Sequence, residues 1–121
     1  EYGQIMGMPA RFASPQELVA KAAAMEGNIR VVPGLIVSGE WFVDSRDKMR
    51  SILDRFPEAK AVDMESCSIA QTCHIYGVPF ISFRIISDVP LKDEKAQQYF
   101  DFWARMADGS FTVTKHFLES I

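Results

Sequence analysis

The sequence predicts an α/β domain in which helices cover a mostly parallel sheet. Three observations predict it. Helix-like and strand-like segments alternate in the order α, β, α, β, α, β, α. The strand-like segments are near-continuous apolar runs, as expected when both faces of a sheet are covered. Proline, glycine or a capping residue bounds most segments. The 121 residues suffice for one domain with a modest core.

The first helix is predicted to start at Ser14-Pro15-Gln16-Glu17. Ser14 can cap, Pro15 suits the first helical position, and Glu17 can reach back to complete a capping box. Strong helix formers follow, and Gly27-Asn28 should end the helix. Val31 to Gly39 is rich in β-branched residues and predicts a strand centred on Leu35 to Val37. Pro33 lies near its start, where a missing N–H is tolerated. A loop, Glu40 to Val43, leads to a second helix capped by Asp44 or Ser45 and running to about Phe56. Met49, Ile52, Leu53 and Phe56 form its apolar face, and Pro57 stops it.

Ala59 to Asp63 predicts a short strand, and Ser66 to Tyr76 a helix with Gly77 just past its end. Phe80 to Ile86 predicts a third strand, ending at Ser87-Asp88. Ala96 to Ser120 predicts a last long helix, with Gly109 as a weak point. Three strands make a narrow sheet with two exposed edges. The opening residues, EYGQIMGMP, read as a connection inside a longer protein.

Composition narrows the function. The net charge is -3, which gives no electrostatic case for nucleic acid or an anionic membrane. No apolar run approaches the roughly 20 residues that span a bilayer, and a cytoplasmic protein is the expectation. Cys67 and Cys73 fit neither a CxxC nor a zinc spacing, and both fall in a predicted buried helix. His74 and His116 lack a second ligand at metal-binding spacing. No metal site is expected.

Ligands of open α/β sheets bind outside the carboxyl ends of the strands. Three segments should converge there: Ser38 to Val43, Asp63 to Ser66, and Arg84 with Ser87-Asp88. Each charged residue also has a plain structural reading. Asp63 or Glu65 can complement a helix N-terminus, Asp88 can cap a turn, and Arg84 can pair with a nearby carboxylate. Convergence on one rim makes a site the better expectation.

GLIVSGEWFV, FPEAKAVDMESCSIAQTC and GVPFISFRIISDV resemble the C-terminal half of the nucleoside phosphorylase/hydrolase superfamily. Within it they most resemble 5′-methylthioadenosine/S-adenosylhomocysteine nucleosidase. Three motifs occur in order over essentially the whole chain. The resemblance implies a three-layer α/β/α fold with a central mixed, largely parallel sheet. Residues 1–121 would form the C-terminal half of a single domain, without its N-terminal half.

The resemblance also implies roles. Asp88 matches the general acid that protonates N7 of the leaving adenine, and Ser87 the residue that holds it. Arg84 matches an arginine near the water and ribose. Glu65 matches the carboxylate that binds the ribose hydroxyls, with Met64 packed on the sugar. Phe42 matches an aromatic that stacks on adenine, and the backbone of Val43 pairs with the adenine edge. Met6 matches a residue reaching the 5′-substituent in a neighbouring subunit.

Asp63 stands where glutamate is more frequent, and little effect is expected because Glu65 is the more central carboxylate. Trp41 is bulky for its position. The family's water-activating glutamate and glycine-rich loop have no match here. The implied activity is hydrolysis of a small nucleoside, without cofactor, in a homodimer. Three other readings remain: a purine nucleoside phosphorylase, an AMP nucleosidase, or a non-catalytic nucleoside-binding or dimerisation fragment.

Overall fold

The computed structural model describes residues 1–86 and 109–121. Its elements run α1 (Gln16–Ala23), β1 (Leu35–Ser38), α2 (Arg46–Arg55), β2 (Ala59–Asp63) and α3 (Ser66–Tyr76). Residues 109–120 are helical and are termed α4. Alternating elements and a parallel β1–β2 pair give the expected α/β class.

The sheet positions the site through its register. Ile36 pairs with Ala61, Val37 with Val62 and Ser38 with Asp63. An irregularity between Leu35 and Ile36 leaves Lys60 as an extra, exposed residue on β2. Both strands end at the same rim because they are parallel, so Ser38 and Asp63 arrive side by side. α2 makes the crossover between them, and α3 lies against β1.

The helix ends have identifiable causes. Ser45, in extended conformation, caps α2 by accepting the Lys48 backbone N–H at 3.3 Å. Gly77 closes α3 in the left-handed region, at φ 67°. The Val78 N–H donates to the Cys73 carbonyl at 2.8 Å and the Gly77 N–H to the His74 carbonyl at 3.3 Å. Those two bonds make a Schellman motif.

α1 departs from expectation at both ends. Pro15 occupies the cap position rather than the first helical one, and no side-chain hydrogen bond closes the N-terminus. The shift of one residue takes Ser14 and Glu17 out of capping-box register. Its carbonyl instead accepts the N–H groups of Leu18 and Val19 at 3.0 and 3.1 Å. The helix also stops at Ala23, short of Gly27-Asn28, with Ala24 as its last near-helical residue.

The expected third strand is not a strand among the described residues. Residues 80–86 join no ladder with β1 or β2. An apolar run dictates burial; a strand also requires a backbone partner, which the run does not encode. Its first residues, 80–83, are half-buried, whereas Arg84, Ile85 and Ile86 are exposed. Phe83 meets Phe117 of α4 edge-on, with ring centroids 4.9 Å apart, and Phe117 is buried. Gly109 has a packing reason: an added Cβ would lie 3.1 Å from Ile29 Cδ1. The expected start of the last helix, from Ala96, lies outside the described residues.

Buried apolar residues are few among the described residues: Ala22, Ala70 and Phe117. Ile69, Ile75 and Tyr76 of α3 and Phe111 and Leu118 of α4 are exposed. No described helix is long and apolar enough to cross a membrane.

Candidate functional site

The rim at the ends of β1 and β2 carries a network of charged and hydroxyl groups centred on Asp63. The N-terminus of α3 explains why it forms there. The first N–H groups of a helix lack partners within it. Asp63 Oδ1 accepts the Ser66 N–H at 3.1 Å, and Ser38 Oγ accepts the Cys67 N–H at 2.9 Å. The helix is thus tied both to the strand before it and to the neighbouring strand.

The hydroxyls settle the direction of the remaining bonds. Ser66 Oγ donates to Asp63 Oδ2. A hydroxyl has one proton, so Ser82 Oγ must be the donor in its 3.1 Å bond to Ser66 Oγ. The Ser38 hydroxyl, opposite Asp63 in the register, adds to the lowering of the Asp63 pKa. Segment 80–86 is drawn to the rim by Ser82, although it joins no ladder.

Arg84 completes the cluster. Its Nε lies 2.6 Å from Asp63 Oδ2 and its Nη2 3.1 Å from Glu65 Oε2. Only 6% of the Asp63 side chain is exposed, against 63% for Glu65. Burial alone would raise the Asp63 pKa. The hydrogen bonds from Ser66 and Ser38, the Ser66 N–H and the Arg84 charge outweigh it and hold the carboxyl below its ordinary range. Asp63 is therefore an ionised, fully engaged acceptor, unsuited to carrying a proton.

Glu65 is different. Oε2 accepts the Met64 N–H at 3.2 Å and the Arg84 bond. No described residue occupies Oε1, which leaves acceptor capacity for ligand hydroxyls. Met64 beside it is half-exposed. The expectations for Glu65, Arg84 and Met64 thus meet in one place.

The other expected site residues are dispersed. Phe42 and Val43 follow β1 in a loop that α2 steadies: Lys48 Nζ donates to the Phe42 carbonyl at 3.1 Å and pairs with Asp44 at 3.1 Å. The Phe42 side chain is 68% exposed and Trp41 is also exposed, so neither serves as core among the described residues. Met6 is 98% exposed. Ser87 and Asp88 lie outside the described residues. Two surface hollows lie elsewhere, one of about 520 Å³ between Ala23 and Pro33 and one of about 280 Å³ between Pro9 and Phe80.

Asp63 makes more of the rim's hydrogen bonds than Glu65 does. A signal was present in the sequence. Ser38 and Asp63 lie at predicted strand ends and Ser66 at a predicted helix start, and a carboxylate among hydroxyls at a helix start is a natural acceptor; Ser82 and Arg84 lie within the predicted third strand.

The phosphorylase superfamily model matches residues 4–119. The chain belongs to this superfamily. Over 96 residues it is 42% identical to the 5′-methylthioadenosine/S-adenosylhomocysteine nucleosidase of Bacillus thuringiensis strain Al Hakam, a match covering 77% of this chain and 42% of that protein. A Borrelia burgdorferi B31 protein assigned as the same nucleosidase, crystallised with adenine, superposes with a TM-score of 0.88 at 35% identity. That match covers 98% of this chain and 52% of the other. The Streptococcus pneumoniae nucleosidase with 8-aminoadenine gives a TM-score of 0.82 at 32% identity, covering 99% and 52%. The chain thus spans about half the length of these relatives, and its elements form part of their fold.

Proposed function

We propose that this superfamily member acts as an N-ribosyl hydrolase that cleaves the glycosidic bond of 5′-methylthioadenosine and S-adenosylhomocysteine and releases adenine. The carrying observation is the Asp63–Arg84–Glu65 cluster, at the strand-end rim of a chain whose relatives bear that activity in their names. Glu65 accepts the ribose hydroxyls through its open oxygen, and Met64 lies against the sugar. The anionic cluster favours the positive charge that develops on the ribose as the bond breaks. Asp88, held by Ser87, protonates N7, because adenine leaves poorly as an anion. Phe42 stacks on the base, the Val43 backbone pairs with its edge, and Met6 reaches the neighbouring subunit's ligand in a homodimer. An N-terminal half-domain supplies the glutamate that activates water and covers the exposed apolar faces of α3 and α4.

One observation favours hydrolysis over phosphorolysis or an AMP substrate. Arg84 is engaged by two carboxylates, so the cluster carries a net negative charge and repels phosphate. Adenine release from 5′-methylthioadenosine, with and without phosphate, tests the proposal. Phosphate-independent release is expected, reduced by about 10²–10⁴-fold in Asp88→Asn, as for loss of a general acid. Strict phosphate dependence, or an unaffected variant, contradicts it.

A further inference from the structure

Arg84 divides one edge of its guanidinium between two carboxylates of unlike character. An edge presenting Nε and Nη2 ordinarily grips a single carboxylate through both oxygens. Here Nε goes to Asp63 at 2.6 Å and Nη2 to Glu65 at 3.1 Å. Asp63 is the fixed end. It is covered, it lies opposite Ser38 of β1, and it is bound by the backbone and hydroxyl of Ser66 of α3. Glu65 is the exposed end, held by one Arg84 nitrogen and the Met64 N–H.

We propose that Asp63 is a positioning residue that keeps Arg84 from closing on both oxygens of Glu65. With Asp63 in place, Arg84 steadies Oε2 and leaves Oε1 open. Without it, nothing described holds Nε, and the guanidinium can turn to grip Glu65 through both nitrogens. The oxygen needed for hydroxyl recognition would then be occupied. The functional part of this inference rests on the ribose-binding role proposed for Glu65; the anchoring of Arg84 does not.

The test follows the Arg84 Nε–H signal by ¹H–¹⁵N NMR, assigned by its loss in Arg84→Lys, together with steady-state kinetics on 5′-methylthioadenosine. In the unsubstituted protein the signal should be downfield and slow to exchange. Asp63→Asn should move the signal as Nε passes from Asp63 to Glu65, make its protection depend on Glu65, so that Asp63→Asn combined with Glu65→Gln loses it, and raise KM by about tenfold or more, the scale of one charge-assisted hydrogen bond. Asp63→Glu should restore both the position and KM, which a loss of packing would not. A signal that keeps its original position in Asp63→Asn, or stays protected in the double variant, overturns the proposal, as does a KM in Asp63→Asn within about twofold of the original.

Glu65→Gln keeps the test decisive even where Asp63→Asn fails to fold, because Glu65 is exposed. The Arg84 signal should survive that change, and its loss would make Glu65 the anchor and overturn the proposal. Absence of adenine release by the unsubstituted chain joined to its N-terminal half-domain would refute the nucleosidase reading, while the NMR arms would still decide whether Asp63 anchors Arg84.

Discussion

Two helix starts in this chain are built in opposite ways. α3 begins where side chains from β1, β2 and segment 80–86 meet, and its first N–H groups bond to Asp63 and Ser38. α1 begins with no side-chain bond at all, only the Pro15 carbonyl serving two amides. Both carry sequence signals of a helix start. The difference lies in what surrounds them: the α3 start is a junction of three segments, whereas the α1 start is local. A helix N-terminus becomes part of a site when tertiary structure brings acceptors to it, whatever its own capping residues.

The sharpest way to break this contrast is Asp63→Ala. It strips the acceptor from Ser66 and Arg84 together and leaves a partly covered guanidinium without its main partner. We expect a loss of about 2–4 kcal/mol in urea unfolding, discounted from a fully buried pair because Arg84 retains solvent contact. The pH dependence has a definite sign. The Asp63 pKa is depressed in the fold, so between its folded value and the unfolded value of about 3.9 only the unfolded chain binds the proton. Stability should therefore fall as pH drops below about 4, and Asp63→Asn should remove that component. An unchanged acid limb in Asp63→Asn would mean that the network contributes nothing at the junction.

The far end of α3 should respond less. Gly77→Ala forces an L-residue to φ 67°, although the space around an added Cβ is open. The cost is then backbone strain alone, about 1 kcal/mol. A much larger loss by urea titration would point to contacts beyond the Schellman bonds.

Local signals explain how much was legible. β2 and α3 were predicted with their observed bounds, because Asp63, Gly77 and Pro79 punctuate the chain where the structure changes. The α2 cap was legible to within one residue, as Asp44 or Ser45, and the structure uses Ser45. Segment 80–86 was misread because the same Phe/Ile pattern suits a strand or an extended packed segment, and only a backbone partner separates them. The meeting of Glu65 and Arg84 followed from topology. The central role of Asp63 did not, since it depends on Ser38 lying opposite it across a register that periodicity cannot supply. Trp41, Phe42 and Met6 are exposed, so composition alone could not say whether they were core or contact surface.

The smallest effect gives the cleanest comparison of local caps. Ser45 accepts the Lys48 N–H at 3.3 Å, whereas Ser14 precedes a helix whose cap position is taken by proline. Ser45→Ala should cost about 1 kcal/mol, the ordinary value for losing such a cap. Ser14→Ala should stay within about 0.5 kcal/mol, like a surface change that breaks no named interaction. The pair is informative because both serines stand before helices of similar length and only one makes the bond. Equal losses in thermal or urea unfolding would mean that the box at Ser14 and Glu17 forms in solution, shifting the start of α1 back by one residue. Unequal losses would tie the difference to Pro15, whose place in the helix removes Ser14 from capping reach.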